Sequence, residues 1–129
     1  MQCKIMYVEL KSGYGDNGPA WIGKVRFSKS LRTLYFNDRA FKKVNGFSFN
    51  HYDVETGERY WISGVKKNGE DRHWAGSGKI MIDGKVVSEY LEITGQDTLD
   101  HRKFEVVDIP DEYPVERIHE IENTEFYEE

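Results

Sequence analysis

"FSFNHYDVETGERYWISGVKKNGEDRHW", residues 47–74, is the stretch whose reading decides the fold. Alternate residues of a strand point to opposite faces, so Phe47, Phe49 and His51 share one face and Ser48, Asn50 and Tyr52 the other. Glu55-Thr56-Gly57 then reads as a hairpin loop with glycine in the left-handed position. Tyr60-Trp61-Ile62 is the second strand, Asn68-Gly69 a tight turn, and Arg72-His73-Trp74 the strand returning from it. Gly76 and Gly78 mark a kink or bulge before the next strand.

Working outward, Asn45-Gly46 and Asp83-Gly84 carry the same tight-turn chemistry, and Ser28-Lys29-Ser30 and Asn37-Asp38-Arg39 are weaker turns. "AWIGKVRF" puts Trp21, Val25 and Phe27 on one face and Lys24 and Arg26 on the other. "KIMI" and "KVVSEYLEI" flank Asp83-Gly84 and are rich in β-branched residues, which suits a pair of strands. No helical period competes within residues 1–95. The pattern predicts an all-β body, a small antiparallel meander closed as an SH3-like barrel or left as a half-open sandwich.

The body is expected to span residues 1–95 and an acidic C-terminal extension residues 96–129. "QDTLDHRK" reads as a linker and "FEVVDIP" as one more strand or an extended arm. A short helix from Pro114 to about Asn123 would carry Val115, Ile118 and Ile121 as a thin apolar stripe. Residues 1–96 hold 15 Lys and Arg against 11 Asp and Glu, and residues 97–129 hold 3 against 12, which together give the net charge of −5. With apolar residues such as Phe104, Val106, Ile109, Ile118 and Phe126 among its carboxylates, the tail suits either the basic body or another protein.

The 129 residues suffice for a single core, and the 14% aromatic content points to one built on Tyr, Phe and Trp. No run of 18 apolar residues exists, so no membrane span is expected, and "MQCKIMYVELKSG" lacks the unbroken apolar stretch of a signal peptide. A single cysteine, Cys3, points to a reducing, cytoplasmic setting.

Several constellations carry candidate chemistry. His51 with Asp53, and Asp71 with His73, repeat a two-residue spacing, and four such ligands meeting across a sheet would suit a metal-dependent hydrolase. Asp53 and Asp71 also flank turns, where aspartate serves local purposes. Ser63-Gly64-Val65-Lys66 matches the S-x-x-K string of serine acyl-enzymes without the companion motifs that chemistry needs. "SGYGDNGPA", residues 12–20, is a glycine-rich loop able to cradle an anion.

A polyanion or partner patch is the better-supported reading. It comprises Lys24, Arg26, Arg32, Lys42, Lys43, Lys66, Lys67 and Arg72, with Trp61 and Trp74 as aromatic company. Edge lysines also block aggregation, and the chain lacks the basicity expected of a nucleic-acid binder. The expected function is a non-enzymatic binding domain without a cofactor. Its partner is first another protein or a second copy, and next a nucleic acid.

Across about residues 4–95, "IMYVE", "GPAWIGKVRFSKSLRTLYF", "YDVETGERYWISGVKKNGEDR" and "EYLEI" resemble a family of small, uncharacterised bacterial all-β proteins. Some members carry the name 1-deoxy-D-xylulose-5-phosphate synthase. The resemblance implies the β fold and assigns no catalytic residue. That synthase is a far longer thiamine-diphosphate enzyme with a GDG…N-type motif, and Gly15-Asp16-Asn17 lacks the motif's second glycine.

Overall fold

The computed structural model describes residues 2–73, 76–110, 117 and 120. Six antiparallel strands close into a barrel: β1 (Gln2–Leu10), β2 (Ala20–Phe27), β3 (Thr33–Phe36), β4 (Arg39–Lys43), β5 (His51–Asp53) and β6 (Arg59–Gly64). Their order around the barrel is β1-β6-β5-β4-β3-β2, and pairing of β1 with β2 closes the ring. The register runs from Gln2 opposite Phe27 to Glu9 opposite Ala20 on one side of β1, and from Met6 opposite Gly64 to Leu10 opposite Tyr60 on the other. A closed barrel leaves no edge strand exposed, which suits a sequence of short, alternating strands.

The turns follow local chemistry. Asn37 and Asp38 both adopt positive φ, 51° and 58°, in the two-residue connection from β3 to β4, as a primed hairpin turn requires. Gly57 takes φ 76° between β5 and β6. Asn45-Gly46, in contrast, lies in an open loop from 44 to 50 and makes no tight hairpin. Phe47 is fully exposed there, so it shares no buried face with His51, while Phe49 stacks under Arg59, whose guanidinium lies 4.8 Å from the ring centroid.

Two further corrections concern the second half of the chain. Asn68-Gly69 does form a turn, with Gly69 at φ 74°, but residues 71–73 do not return as a strand; Trp74 lies outside the described residues. Asp83-Gly84 does not close a hairpin. Strand β7 (Ile80–Asp83) ends in a 3-10 turn (Gly84–Val86) that leads into helix α1 (Val87–Thr94). The Asp83 carboxylate accepts the Lys85 N–H at 3.0 Å to cap the entry. At the exit Gly95 is left-handed, and the Gly95 and Gln96 N–H groups return to the Glu92 and Leu91 carbonyls.

"KVVSEYLEI" is therefore helical. Val86, Val87, Tyr90, Leu91 and Thr94 recur at three- and four-residue steps, so the period outweighs the β-branched composition. After α1 the chain forms β8 (Phe104–Val107), which pairs parallel with β7, which in turn pairs parallel with β2. A parallel pair needs a crossover, and α1 supplies it. The sheet thus continues past residue 95, and Leu99, Phe104 and Ile109 are buried. Pro114 and Ile121, with most of the expected short helix around them, lie outside the described residues.

The core has two layers. Met6, Val8, Val25, Leu34, Phe36, Phe41, Tyr60, Ile62 and Ile109 fill the barrel. Ile5, Tyr7, Ala20 and Ile22, on the opposite face of β1 and β2, pack under β7, α1 and β8 through Ile80, Ile82, Val86, Tyr90 and Phe104. Strand β1 is consequently buried on both faces from Ile5 to Glu9. Full burial of a side chain such as Ile22 or Ile82 contributes about 1.5–3 kcal/mol. No helix among the described residues is long and apolar enough to cross a membrane.

Candidate functional site

Because side chains alternate, Tyr7, Glu9 and Lys11 leave β1 and its extension on the outward face. Glu9 is 1% exposed, and such burial of a carboxylate requires partners. The Tyr7 hydroxyl donates to Glu9 Oε1. Lys11 Nζ lies 2.9 Å from Glu9 Oε2 and 3.0 Å from Asp16 Oδ1. Arg72 Nη1 donates to the Asp16 carbonyl at 3.1 Å and stands 3.9 Å from Glu9 Oε2. This polar layer ties the 11–19 loop and the 66–73 segment to the barrel wall. Burial and the neighbouring Glu9 push the Tyr7 phenol well above its ordinary range, so it remains a donor. The Lys11 hydrogen bond holds the Asp16 carboxyl below the usual range.

The same segment is clipped at its base. Asp71 Oδ1 accepts the Lys66 N–H at 2.8 Å, and burial raises the Asp71 carboxyl. Tyr90, fully buried nearby, is pushed up to about 12 by burial and then by Asp71. Asn17 Oδ1 accepts both the N–H and the hydroxyl of Ser77, at 2.9 and 3.0 Å. Gly76 passes so near the 11–19 loop that a Cβ there would stand 2.2 Å from the Asp16 carbonyl oxygen.

Beside this network, and sharing Arg72, Asp71, Gly76 and Ser77 with it, lies an open cleft of about 770 Å³. Among the described residues, Lys66, Arg72, His73, Lys79, Arg102 and Lys103 line it together with two acids, Glu70 and Asp71. Arg72 is engaged with Asp16 and Glu9, and Arg102 with Asp100 at 3.2 Å. Lys66, Lys79 and Lys103 make no ion pair among the described residues. The parallel register, Ile80 opposite Phe104, places Lys79 beside Lys103.

The structure redistributes the residues singled out from sequence. Lys66 and Arg72 line the cleft. Lys42 is 3% exposed and belongs to the interior. Lys24 and Arg26 are on β2, Arg32 precedes β3, Lys43 ends β4 and Lys67 sits in the turn, none of them lining the cleft. Trp61 is half-buried against the outer core layer, its indole N–H donating to Ser63 Oγ at 3.2 Å. Lys79, Arg102 and Lys103 escaped the sequence reading because only the unforeseen β7–β8 pairing unites them. Glu9 escaped it as well. A lone acid among Ile5, Tyr7 and Val8 in an apolar strand was the available signal.

The metal quartet does not assemble. Asp53 binds Arg39 at 2.8 Å and caps the Glu55 and Thr56 N–H groups. Asp71 holds Lys66, and His73 Nδ1 stands 3.6 Å from Asp16. His51 Nδ1 lies 2.8 Å from Asn50 Oδ1. Among the described residues no three His, Cys, Asp or Glu side chains gather as ligands.

Burial, helped by Lys43, lowers the His51 pKa to about 4. The unfolded chain therefore binds this proton more readily. The stability that neutral His51 confers is intact above about pH 6.5 and is lost as pH falls toward 4. Urea unfolding at pH 5 is expected to show about 2 kcal/mol less stability than at pH 7 from this group. In His51→Gln that share of the pH dependence should vanish, and an unchanged profile would refute the assignment. The chain matches no family model, no curated protein and no solved structure.

Proposed function

We propose that the protein is a non-enzymatic binding domain whose cleft takes an acidic stretch of a protein partner. The observation that supports this reading is the set of Lys66, Lys79 and Lys103 lining the cleft, three cations with no ion pair among the described residues, on a wall where Arg72 is anchored to Glu9 and Asp16. A pre-formed cationic site binds without the cost of ordering its own loops. The charge is local, and the net −5 of the chain repels a long polyanion outside the cleft. That balance favours a short acidic segment over nucleic acid.

A fluorescein-labelled glutamate-rich decapeptide is the direct probe, read by anisotropy. The triple variant Lys66→Gln, Lys79→Gln, Lys103→Gln is expected to bind it at least about tenfold more weakly, with the difference fading above roughly 0.5 M salt. Equal binding by the wild type and the triple variant would overturn the cleft as the site. Tighter capture of single-stranded RNA than of the peptide would move the assignment to nucleic acid.

A further inference from the structure

We propose that Asn45 is a site of self-modification, losing its side-chain amide to the backbone nitrogen of Gly46. The chain holds three Asn-Gly pairs, Asn17-Gly18, Asn45-Gly46 and Asn68-Gly69. Glycine carries no side chain and so leaves its backbone nitrogen the least shielded. Each pair therefore has the chemistry, and the fold decides which reacts. Asn17 Oδ1 accepts the N–H and the hydroxyl of Ser77 at 2.9 and 3.0 Å, and Gly18 is buried against the Leu10 carbonyl. Asn68 Oδ1 accepts the Glu70 N–H at 2.9 Å, and the Gly69 N–H donates to the Lys66 carbonyl at 3.1 Å. Asn45 and Gly46 are both exposed in the open 44–50 loop. Among the described residues, neither the Asn45 amide nor the Gly46 N–H makes a hydrogen bond.

The reaction needs only the chain and water. The Gly46 nitrogen bonds to the Asn45 side-chain carbonyl carbon, the bond from that carbon to Nδ2 breaks, and ammonia leaves with the Gly46 proton. Water then opens the cyclic imide. Attack at the side-chain carbonyl yields aspartate at position 45. Attack at the main-chain carbonyl yields the isoaspartyl linkage, in which the backbone runs through the side-chain carbon. The loop retains the glycine that permits this, because a Cβ at Gly46 would stand 2.6 Å from the Phe49 carbonyl oxygen. Its base is firm: the Val44 N–H donates to the Asn50 carbonyl at 2.9 Å, and the Asn50 side chain pairs with the Ile62 backbone through two bonds of 2.8 Å. The new charge and the lengthened backbone are thus confined to residues 45–49, beside Lys43 and the fully exposed Phe47.

The test ages the full-length protein in mildly alkaline buffer made with heavy-oxygen water, then maps its peptides by mass spectrometry. Heavy oxygen is expected to enter residue 45 at least about tenfold faster than residue 17 or 68, since each of those pairs must first break two hydrogen bonds. In the guanidinium-unfolded chain the three pairs should react at similar rates. Asn45→Gln should abolish the fast release of ammonia from the folded protein, because glutamine must close a larger ring. Comparable labelling at residue 45 and at residue 17 or 68 in the folded protein would overturn the proposal. A preference for Asn45 that survives unfolding would overturn it too, since the neighbouring sequence and not the fold would then select the site.

Discussion

Glu9→Ala is expected to lower the unfolding free energy by about 3–5 kcal/mol, because it removes the buried carboxylate at the centre of a charged network and leaves Lys11 and Arg72 with only their contacts to Asp16. Lys11 and Arg72, with side chains only 11% and 9% exposed, would lose their shared carboxylate. The Tyr7 hydroxyl would lose its acceptor inside the core. The carboxylate stabilises less than the mutation costs, since its own desolvation offsets much of the attraction. Glu9→Gln keeps an acceptor for Tyr7 and should lose less than the alanine variant. Urea unfolding at pH 7 measures both. Because the pair is buried, the loss should persist in roughly 0.5 M salt, where exposed pairs are screened. A cost below about 1 kcal/mol would mean the network is a surface feature.

Gly18→Ala is expected to cost about 3 kcal/mol for a purely steric reason. Gly18 has no positive φ, yet a Cβ there would stand 1.9 Å from the Leu10 carbonyl oxygen and 3.1 Å from Tyr14 Cβ. Neither neighbour is the free end of a flexible side chain, so backbone must move. The Leu10 N–H bond to the Pro19 carbonyl, 3.0 Å, closes the same loop and would stretch. Displacing that loop also moves Lys11 and Asp16, so cleft binding should weaken alongside stability. Gly57→Ala separates the two mechanisms. At Gly57 φ is 76° with nothing within 4 Å of a Cβ, so only backbone strain applies, worth about 1 kcal/mol. Similar losses at the two positions would refute the steric account.

The barrel was legible in the sequence because each of its signals was local. The alternation in "AWIGKVRF" and the glycine of Glu55-Thr56-Gly57 act through chain neighbours alone, and β2 and the β5–β6 loop form as those residues dictate. Asn37-Asp38, the weaker-looking signal, makes the tighter turn because both residues accept positive φ. Misreadings arose where two rules competed. In "KVVSEYLEI" the β-branched residues argued for a strand, while the spacing of Val86, Tyr90 and Thr94, with Asp83 before and Gly95 after, argued for the helix that forms.

The cleft was half legible. Lys66 and Arg72 flank the Asn68-Gly69 turn, whose local chemistry already brings them together. Lys79 and Lys103 are neighbours only through a parallel pairing with a crossover, which no local pattern announces. Glu9 was only faintly legible: Tyr7 and Lys11 stand two residues away on the same face, but Arg72 and the segment that covers them are distant in sequence.

The two-sided burial of β1 has a consequence for how the protein is made. By the time residue 64 has emerged, every strand of the barrel exists, and Met6 and Val8 can be enclosed. Ile5, Tyr7 and Ile22 face outward and wait for residues 80–104. At ordinary translation rates that wait is about 2–8 s. During it a nascent barrel displays an apolar stripe to its surroundings, a surface that the finished fold covers.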